Sequence, residues 1–435
     1  MDLMQHSGGP SSPARTRAPR GKINSVQLAC LLLLAGTAGF LAYCFGSAHG
    51  GRSTASYRLL ASSSDIRSAP ANIRTASSPV TKSQANAPPS PSGTNLTDTT
   101  VPHRAGSNPR QYHVITTTQG FANHWQVRIH YWWYQRQRQL CQAQGQCDMG
   151  GFTRLLHSGE ADDLMDEVPT VVVKPIPLAD IPRGDTSYIP LNRPYAFLQW
   201  VRLASVPERY ILMCESDHLF LRPLPNLMQG EVSTAALFTY MNPLEYPSIV
   251  RSFIGKVPES ELAQVPRIGN SPTFISVRDF RKLAPVWYNT TMEVFADPKA
   301  YSAWNWIVEM YGYTLATYRT GLHKGLLTQS FLAHPPFDDN LVNEAGQPYY
   351  LMHLTYPMRY NSSGKIVETL EEADWFFDKR SYGERPPPRN LPLPPAFVNN
   401  GLVALVINML NEATNAIPCW DEYVATLSVT CTALN

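Results

Sequence analysis

The stretch that decides the fold lies at residues 209–224 and reads RYILMCESDHLFLRPL. Its apolar part, Tyr210 to Cys214, shows no alternation of polar and apolar residues, which predicts a strand buried on both faces of a parallel sheet. Two acids, Glu215 and Asp217, follow abruptly before Leu219-Phe220-Leu221 returns to the core. Ligands of open α/β sheets bind outside the carboxyl ends of the strands. The sequence therefore predicts that both acids lie at a ligand-binding edge.

Acids two residues apart at a strand end can both reach one hard cation through their carboxylate oxygens. Such a cation can bridge to a diphosphate and offset the charge that grows on a departing phosphate. Glycosyltransferases that use nucleotide sugars do this with an Asp-x-Asp element, and Glu215-Ser216-Asp217 looks like a variant of it. The alternative is an acidic turn without a function.

The composition indicates a globular domain. The 435 residues allow one large domain or two ordinary ones, and 43% of them are hydrophobic, which supports a real core. The formal net charge of +2 does not indicate a nucleic-acid partner. Cys141 and Cys147 flank a short polar loop and could form a disulfide in an oxidising lumen, whereas Cys214 is expected to be a core thiol.

The N-terminal quarter predicts a membrane-anchored protein. Residues 1–25 are polar and positive, and residues 26–45 then carry no charge for 20 residues, which is enough for a helix of about 30 Å that spans a membrane. The basic flank comes first, so residues 1–25 are predicted as a cytoplasmic tail and 26–45 as a signal-anchor. A cleaved signal peptide is the competing interpretation.

Residues 46–108 are rich in Ser, Ala, Thr and Pro and nearly free of aromatic residues. A segment of this composition cannot bury enough apolar area to fold, so it is predicted as a disordered stem. An anchor, a stem and a lumenal domain together are typical of a type II Golgi or ER enzyme, and they also fit a surface receptor.

Folded sequence begins near Gln111. Tyr112 to Thr117 predicts a first strand that ends in the small hydroxyl residues Thr116 and Thr117, and helical spacing of apolar residues predicts a helix over 123–140. Gly150 and Gly151 predict a turn, where backbone without side chains can approach a ligand closely.

A helix over 195–204 leads directly into the strand at Tyr210. Asn192 is its candidate N-cap, and Pro194 suits its first turn. The positive end of the helix dipole and Arg193 would then both favour an anion near the predicted cation site.

Later segments add two candidates for the site. The pattern predicts strands over 233–240 and 268–277, and a helix over 304–315 that carries Glu309. His353 lies in an aromatic strand predicted over 349–356. A neutral imidazole can bind Mn²⁺, although a histidine in an apolar strand is more often structural. A last amphipathic helix, predicted after residue 395, is expected to dock on the domain.

Taken together, these segments resemble the hydroxyproline O-arabinosyltransferases of plants and green algae. The resemblance runs in register over about 111–421 and is carried by residues 148–159, 192–200, 213–227, 268–276, 309–313, 378–395, 411–414 and 417–421. Three features depart from the expected pattern: Ser216 stands where Pro is expected between the acids, the Cys141–Cys147 loop looks like an insertion, and the tail is longer.

The resemblance implies a GT-A-like α/β domain at 109–395 with a mostly parallel central sheet, followed by a C-terminal helix and tail at 396–435. Asp217 and Glu215 would hold Mn²⁺ and the diphosphate of a UDP-sugar, with His353 as a third metal ligand, and Glu309 would lie near the acceptor hydroxyl. The remaining residues expected to contact the donor are Arg193, Asn192, Thr116, Thr117, Gly150 and Gly151.

The resemblance also implies an activity: transfer of β-L-arabinofuranose from UDP to the 4-hydroxyl of hydroxyproline in secreted or wall proteins, in the Golgi and with retained configuration. Two alternatives stay open. One is a related transferase, such as a peptidyl serine O-galactosyltransferase acting on the same wall glycoproteins. The other is a lumenal binding module without catalytic activity.

The stem prediction can be tested by truncation. A chain that begins near Ser107 should be soluble and active, because residues 46–108 contain no pattern that forms a core. Gel filtration and an activity assay would check this. Unfolding of the truncated chain, or cleavage of the intact protein near Ser47 in cells, would contradict the anchor-and-stem organisation.

Overall fold

The computed structural model describes residues 108–120 and 123–431. The predicted tail, the anchor at 26–45 and nearly all of the predicted stem therefore lie outside the described residues. Among the described residues no single helix is long and apolar enough to cross a membrane, and only one pair of helices bent by 95°, Gly401–Ala416 with Trp420–Thr426, meets that criterion together.

Short strands follow one another through this part of the chain and are numbered in chain order. They are β1 Tyr112–Thr118, β2 Met149–Leu156, β3 Thr170–Val172, β4 Tyr210–Cys214, β5 His218–Phe220, β6 Thr234–Ala236, β7 Thr273–Ser276, β8 Leu326–Thr328, β9 Leu332–Ala333, β10 Leu351–His353, β11 Met358–Tyr360 and β12 Trp375–Phe377.

The α-helices are numbered in the same way. They are α1 His124–Ala143, α2 Asn192–Leu203, α3 Pro247–Ile254, α4 Glu259–Leu262, α5 Val277–Ala296, α6 Pro298–Trp304, α7 Val308–Arg319, α8 Gly401–Ala416 and α9 Trp420–Thr426.

A seven-stranded sheet in the order β3-β2-β1-β4-β7-β6-β8 forms the centre of the fold. Neighbouring strands run parallel except β7, which is antiparallel to both β4 and β6. Tyr112 pairs with Met149 on one side and with Tyr210 on the other, so β1, β2 and β4 end at the same edge. The predicted α/β class with a mostly parallel sheet is confirmed.

Both faces of this sheet are covered, which explains why its strands are apolar without alternation. Leu212 of β4 points into the core that also holds Trp133 of α1, whereas its neighbour Met213 points into the core that holds Trp200 of α2 and Trp287 of α5. All five residues of β4 are buried, as the sequence predicted.

The structure corrects several local predictions. Gly150 and Gly151 do not form a turn but lie inside β2, where a Cβ on either would collide with neighbouring atoms, among them Glu208. The strands predicted over 233–240, 268–277 and 349–356 shorten to three or four residues each. The residues on either side of these strands are not paired in the sheet, because the neighbouring strands are also short.

Two disulfides are present among the described residues. Cys141–Cys147 is the predicted pair, and its Cα atoms lie 5.1 Å apart. The second pair, Cys419–Cys431, was not predicted from the sequence, and it ties the segment after α9 to the start of that helix. Cys214 is buried and unpaired, which confirms its prediction as a core thiol.

Arg128 fixes the C-terminal helices to the domain. Its side chain is 1% exposed, and its Nη2 lies 2.7 Å from Oε2 of Glu167. The guanidinium carbon also lies 5.2 Å from the ring centroid of Trp420 and 4.8 Å from that of Tyr423, both in α9. Arg128 is therefore a buried structural residue that links α1 to α9.

We expect Arg128→Ala to lower the free energy of unfolding by about 3 kcal/mol, because it removes a buried guanidinium together with its ion pair to Glu167 and two cation–π contacts. Arg136→Ala is a matched control. Arg136 also stacks on tryptophan rings and pairs with Glu412, but its side chain is 48% exposed. The control should cost less than about 1 kcal/mol. Equal losses in urea unfolding would show that burial of Arg128 adds nothing.

Candidate active site

Glu215 and Asp217 lie where β4 ends and β5 begins. A short turn over 215–217 joins the two strands, and β5 then pairs with β10 in an antiparallel arrangement that places His353 opposite His218. The N–H of Leu354 donates to the backbone carbonyl of Asp217 at 3.2 Å. This pairing brings together three side chains, Asp217, His218 and His353, whose potential ligand atoms lie within 4.8 Å of one another.

Asp217 is the carboxylate of this group, and 3% of its side chain is exposed. Its Oδ2 lies 3.3 Å from Nε2 of His353 and accepts a hydrogen bond from Nζ of Lys379. Burial on its own raises the pKa of Asp217. The charges of His353 and Lys379 outweigh burial and hold the pKa well below its usual range, so Asp217 is ionised.

Lys379 is a site residue that sequence reasoning missed. It opens a short 3-10 turn, Lys379–Tyr382, whose N-cap is Asp378. The Asp378 side chain accepts from the N–H of Arg380 at 3.0 Å and so fixes the start of this turn. The only signal in the sequence was the charged group Asp378-Lys379-Arg380 within a segment that carries the family resemblance.

His130 of α1 holds the backbone of the cluster through a hydrogen bond to His218. Its Nδ1 lies 2.6 Å from the backbone carbonyl of His218, which can only accept, so Nδ1 carries the proton. Nε2 then accepts from the hydroxyl of Thr116, at 3.0 Å. Burial lowers the pKa of His130 to about 4, so this hydrogen-bonded form persists at neutral pH and holds the backbone of β5 in place.

Arg193 lies in the first turn of α2, beside the predicted cation site, as the sequence predicted. Its guanidinium is already engaged: Nη1 lies 3.1 Å from Oε2 of Glu309, 3.4 Å from Oε1 of Glu215 and 3.3 Å from Oδ1 of Asn270. Burial disfavours the charge on Arg193, but Glu215 and Glu309 outweigh it and raise the pKa. Arg193 therefore joins two carboxylates of the site.

Glu309 occupies the second position of α7 and is 1% exposed. Its N–H donates to the hydroxyl oxygen of Tyr188 at 3.0 Å, whereas its Oε1 has no hydrogen-bond partner among the described residues. Burial is the main cause that raises the pKa of Glu309 to about 7; Arg193 opposes this rise and Glu215 adds to it. This group therefore changes its charge near neutral pH.

Glu215 does not join the closest cluster. Its Oε2 lies 3.9 Å from Nε2 of His353, while its Oε1 faces Arg193. The structure thus brings Asp217 and His353 together as the sequence predicted, adds His218 and turns Glu215 toward Arg193.

The remaining predicted donor contacts are divided between the two edges of the sheet. Thr116 and Thr117 lie at the carboxyl end of β1, on the side of Asp217, although the Thr116 hydroxyl is occupied by His130. Gly150 and Gly151 lie at the amino end of β2, where the N–H of Gly151 donates to Glu208 at 2.6 Å. The structure does not bring these glycines to the site.

The sequence predicted Asn192 as the N-cap of α2, and this prediction is wrong. The helix begins at Asn192 itself, its cap position is Leu191, and no side chain caps it. The Asn192 side chain instead accepts from the N–H of Ile176 at 2.9 Å, so it is already used as an acceptor by a neighbouring loop. Asn192 also lines a cavity of about 200 Å³ together with Gln119, the residue that follows β1.

The cluster has the donor chemistry of a divalent metal site. A carboxylate oxygen and imidazole nitrogens suit Mn²⁺ and similar transition metals. Nε2 of His218 is buried without a hydrogen-bond partner among the described residues, as expected of an atom whose partner is a ligand. Asp217, His218 and His353 therefore fit a divalent cation, with Glu215 within reach of the same space.

Comparison with known proteins shows the family to which the chain belongs. The model of the hydroxyproline O-arabinosyltransferase family N-terminal domain matches residues 112–326, and the model of the C-terminal domain of that family matches residues 350–421. The chain therefore belongs to the hydroxyproline O-arabinosyltransferase family. Asp217 lies in the first matched region, and His353 and Lys379 lie in the second, so the site is built from both.

Individual relatives support the same assignment. Hydroxyproline O-arabinosyltransferase RDN2 of Medicago truncatula is 45% identical over 313 residues, 71% of this chain and 82% of the relative. Hydroxyproline O-arabinosyltransferase 3 of Arabidopsis thaliana is 42% identical over 319 residues, 73% of this chain and 84% of the relative. A peptidyl serine alpha-galactosyltransferase of Arabidopsis thaliana is 22% identical over 203 residues and is matched over 23% of its length. The alternative activity is therefore the weaker one.

Among solved structures, a galactosyltransferase LgtC in complex with donor and acceptor sugar analogues matches with a TM-score of 0.32 and 11% identity, over 55% of this chain and 86% of that one. A similarity of that size does not bear on function.

The raised pKa of Glu309 predicts a stability change with pH. Above pH 4.5 the unfolded carboxyl loses its proton, whereas the folded one keeps it up to about pH 7. Glu309 therefore destabilises the fold increasingly as the pH rises through this window. Glu309→Gln should remove the effect, so the variant should gain on the wild type by roughly 1–3 kcal/mol between about pH 5 and pH 7.5, measured by urea unfolding.

Glu293→Gln is the control for this measurement. Glu293 also pairs with an arginine, Arg319, but its side chain is 51% exposed. Its difference from the wild type should stay constant over the same range. If Glu309→Gln behaves like Glu293→Gln, burial does not raise the pKa of Glu309.

Proposed function

We propose that this chain is a GT-A-like glycosyltransferase that moves L-arabinofuranose from UDP-β-L-arabinofuranose to the 4-hydroxyl of hydroxyproline in secreted proteins. The observation that carries the proposal is the buried Asp217 carboxylate at the carboxyl end of β4, beside His353 and Lys379, in a chain that belongs to this family. The acceptor and the sugar follow from the relatives, whose names state that activity.

Asp217, His218 and His353 would hold Mn²⁺ or another divalent cation. When bound, such a cation supplies positive charge that offsets the charge developing on the departing UDP. Ligands of α/β sheets lie at this edge, so the nucleotide sugar is placed across the ends of β1 and β4, beside the cavity that Gln119 and Asn192 line.

Two cationic side chains border the same space. Lys379 contacts Asp217, and Arg193 contacts Glu215, so both lie next to the diphosphate of a donor bound there. Positive groups fixed in place before the reaction stabilise a leaving diphosphate without reorganisation in the transition state. Lys379, held by a capped turn, and Arg193, held by two acids, meet this condition.

Glu309 supports transfer through Arg193. Its carboxylate orients the guanidinium at 3.1 Å, and because Oε1 is itself buried, Glu309 acts on the donor through Arg193. Donor and product linkage both have the β configuration in this proposal, so the reaction retains configuration at the anomeric carbon.

The cellular setting is also proposed. Residues 26–45 would anchor the protein in the Golgi membrane with the catalytic domain in the lumen, which suits acceptors that pass through the secretory pathway. The two disulfides fit an oxidising compartment.

The deciding experiment incubates the protein with a hydroxyproline peptide and a panel of UDP-sugars, in the presence of Mn²⁺, and identifies the product. We expect arabinose on hydroxyproline, better turnover of consecutive than of isolated hydroxyprolines, and no reaction of the unmodified proline peptide, which lacks the hydroxyl. Equal turnover of a serine peptide would favour the galactosyltransferase alternative. Absence of UDP release with every donor would favour a binding module.

Asp217→Asn tests the role of the cluster. The change preserves the shape of the side chain but removes the negative charge that balances a cation, so we expect the rate to fall about a hundredfold, roughly 3 kcal/mol of transition-state stabilisation. Glu215→Gln should act in the same direction and less strongly, because Glu215 faces Arg193. Excess Mn²⁺ should restore part of the activity of either variant.

Asp279→Asn is the matched control, because Asp279 is also largely buried and ion-paired, through Arg278 and Lys282, at the opposite edge of the sheet. It should keep nearly normal activity. A folded Asp217→Asn protein with normal activity in EDTA as well as in Mn²⁺ would refute the metal assignment.

A further inference from the structure

A continuous row of aromatic rings passes beside the cation cluster. The ring centroids of Phe337 and Tyr356 lie 4.9 Å apart, those of Tyr356 and His334 6.0 Å, those of His334 and Phe238 6.1 Å, and those of Phe238 and Tyr240 5.6 Å. We call these five residues the aromatic band. Its members come from loops beside β6, β9 and β10, so only the tertiary fold aligns them.

The band meets the site at its middle ring. The His334 ring lies 5.5 Å from the ring of His353, and Nε2 of His353 lies 3.3 Å from Oδ2 of Asp217. A molecule lying along the band is therefore one ring away from the cluster at which the proposed function places the diphosphate.

Phe238 is buried beneath the band, Tyr240, His334 and Tyr356 are half-buried, and the most exposed ring is that of Phe337. It is 40% exposed, and it lies on a turn whose backbone is tightly fixed. The N–H of His334 donates to Oδ2 of Asp338 at 2.6 Å, and Nδ2 of Asn400 donates to the carbonyl of Pro336 at 2.9 Å. A large apolar ring held outward by a rigid turn contributes little to the core and costs little conformational entropy when a ligand covers it.

We propose that the aromatic band is the acceptor subsite and binds a proline- and hydroxyproline-rich segment in the polyproline II conformation. This inference rests on the proposed function, because that function requires an acceptor hydroxyl beside the cluster. Aromatic-lined grooves bind polyproline II segments. Such a segment rises about 3.1 Å per residue, so each ring-to-ring step of the band matches about two residues.

The position of the band also selects its occupant. The middle of a bound segment lies nearest His334, with aromatic rings on both sides of it. A hydroxyproline at that point presents its 4-hydroxyl toward the cluster while the flanking residues cover Phe337 at one end and Tyr240 at the other. The band therefore predicts that flanking residues contribute to binding, which explains a preference for runs over isolated hydroxyprolines.

The test measures steady-state kinetics of the full-length chain with two peptides, one with a single hydroxyproline and one with four in a row. For Phe337→Ala we expect the KM for the four-hydroxyproline peptide to rise about tenfold, so that the advantage of the longer run is lost. The KM for the UDP-sugar and the rate of donor hydrolysis without acceptor should stay within about twofold of the wild type. Phe337→Trp should restore the KM for the longer peptide.

Leu203→Ala is the control for loss of an exposed apolar side chain. Leu203 is 68% exposed and ends α2 at the edge away from the cluster, so both KM values should remain unchanged. Tyr356→Leu is a second variant inside the band and should also raise the peptide KM. Thermal unfolding of each variant checks that the fold is intact.

The possible outcomes separate this inference from the proposed function. A wild-type protein without transfer to hydroxyproline would overturn the proposed function. Transfer by the wild type, with an unchanged peptide KM in both folded band variants, would overturn the acceptor subsite alone. A raised KM for the UDP-sugar in place of the peptide would show that the band stacks on the nucleotide base, which would also overturn it.

Discussion

The buried carboxylate of Asp217 constrains where β10 and the turn at Lys379 can lie. An ionised side chain that is 3% exposed is stable only with positive or hydrogen-bonding partners. Lys379, 162 residues later, supplies one partner, and His353 supplies another. To deliver them, β10 must pair with β5 and the 3-10 turn at Lys379 must return to the same sheet edge. The fold of residues 350–380 therefore serves a charge placed at the end of β4.

Much of the fold followed from local pattern. The run from Tyr210 to Cys214 predicted a strand buried on both faces, and His353 was predicted as a third ligand beside Asp217 because a neutral imidazole can bind Mn²⁺. Lys379 could not be predicted, since nothing in its local sequence shows that a turn carries it across the domain. The turn predicted at Gly150 and Gly151 was wrong for a related reason. Glycine suits a turn, but here the missing side chains leave space for the side chain of Glu208.

The charges around the site form a connected set. Arg193 contacts both Glu215 and Glu309, and Lys379 contacts Asp217. Three carboxylates therefore share two cationic side chains. With a pKa of about 7, Glu309 can hold a proton and relieve the excess negative charge. The charges of a divalent cation and a bound diphosphate roughly cancel each other, so a donor bound with its cation leaves this arrangement in balance.

Lys379 links that balance to the C-terminal region. Its ammonium group contacts Asp217 Oδ2, the oxygen that also lies 3.3 Å from Nε2 of His353, so a cation held by the cluster would compete with Lys379 for this carboxylate. With a cation held there, Lys379 would interact less strongly with Asp217 and would be available to the diphosphate of a donor. Because the capped turn at Asp378 limits how far Lys379 can move, its charge stays at the site in either case. One lysine thus neutralises the buried carboxylate in this structure and would remain available to a donor bound at the site.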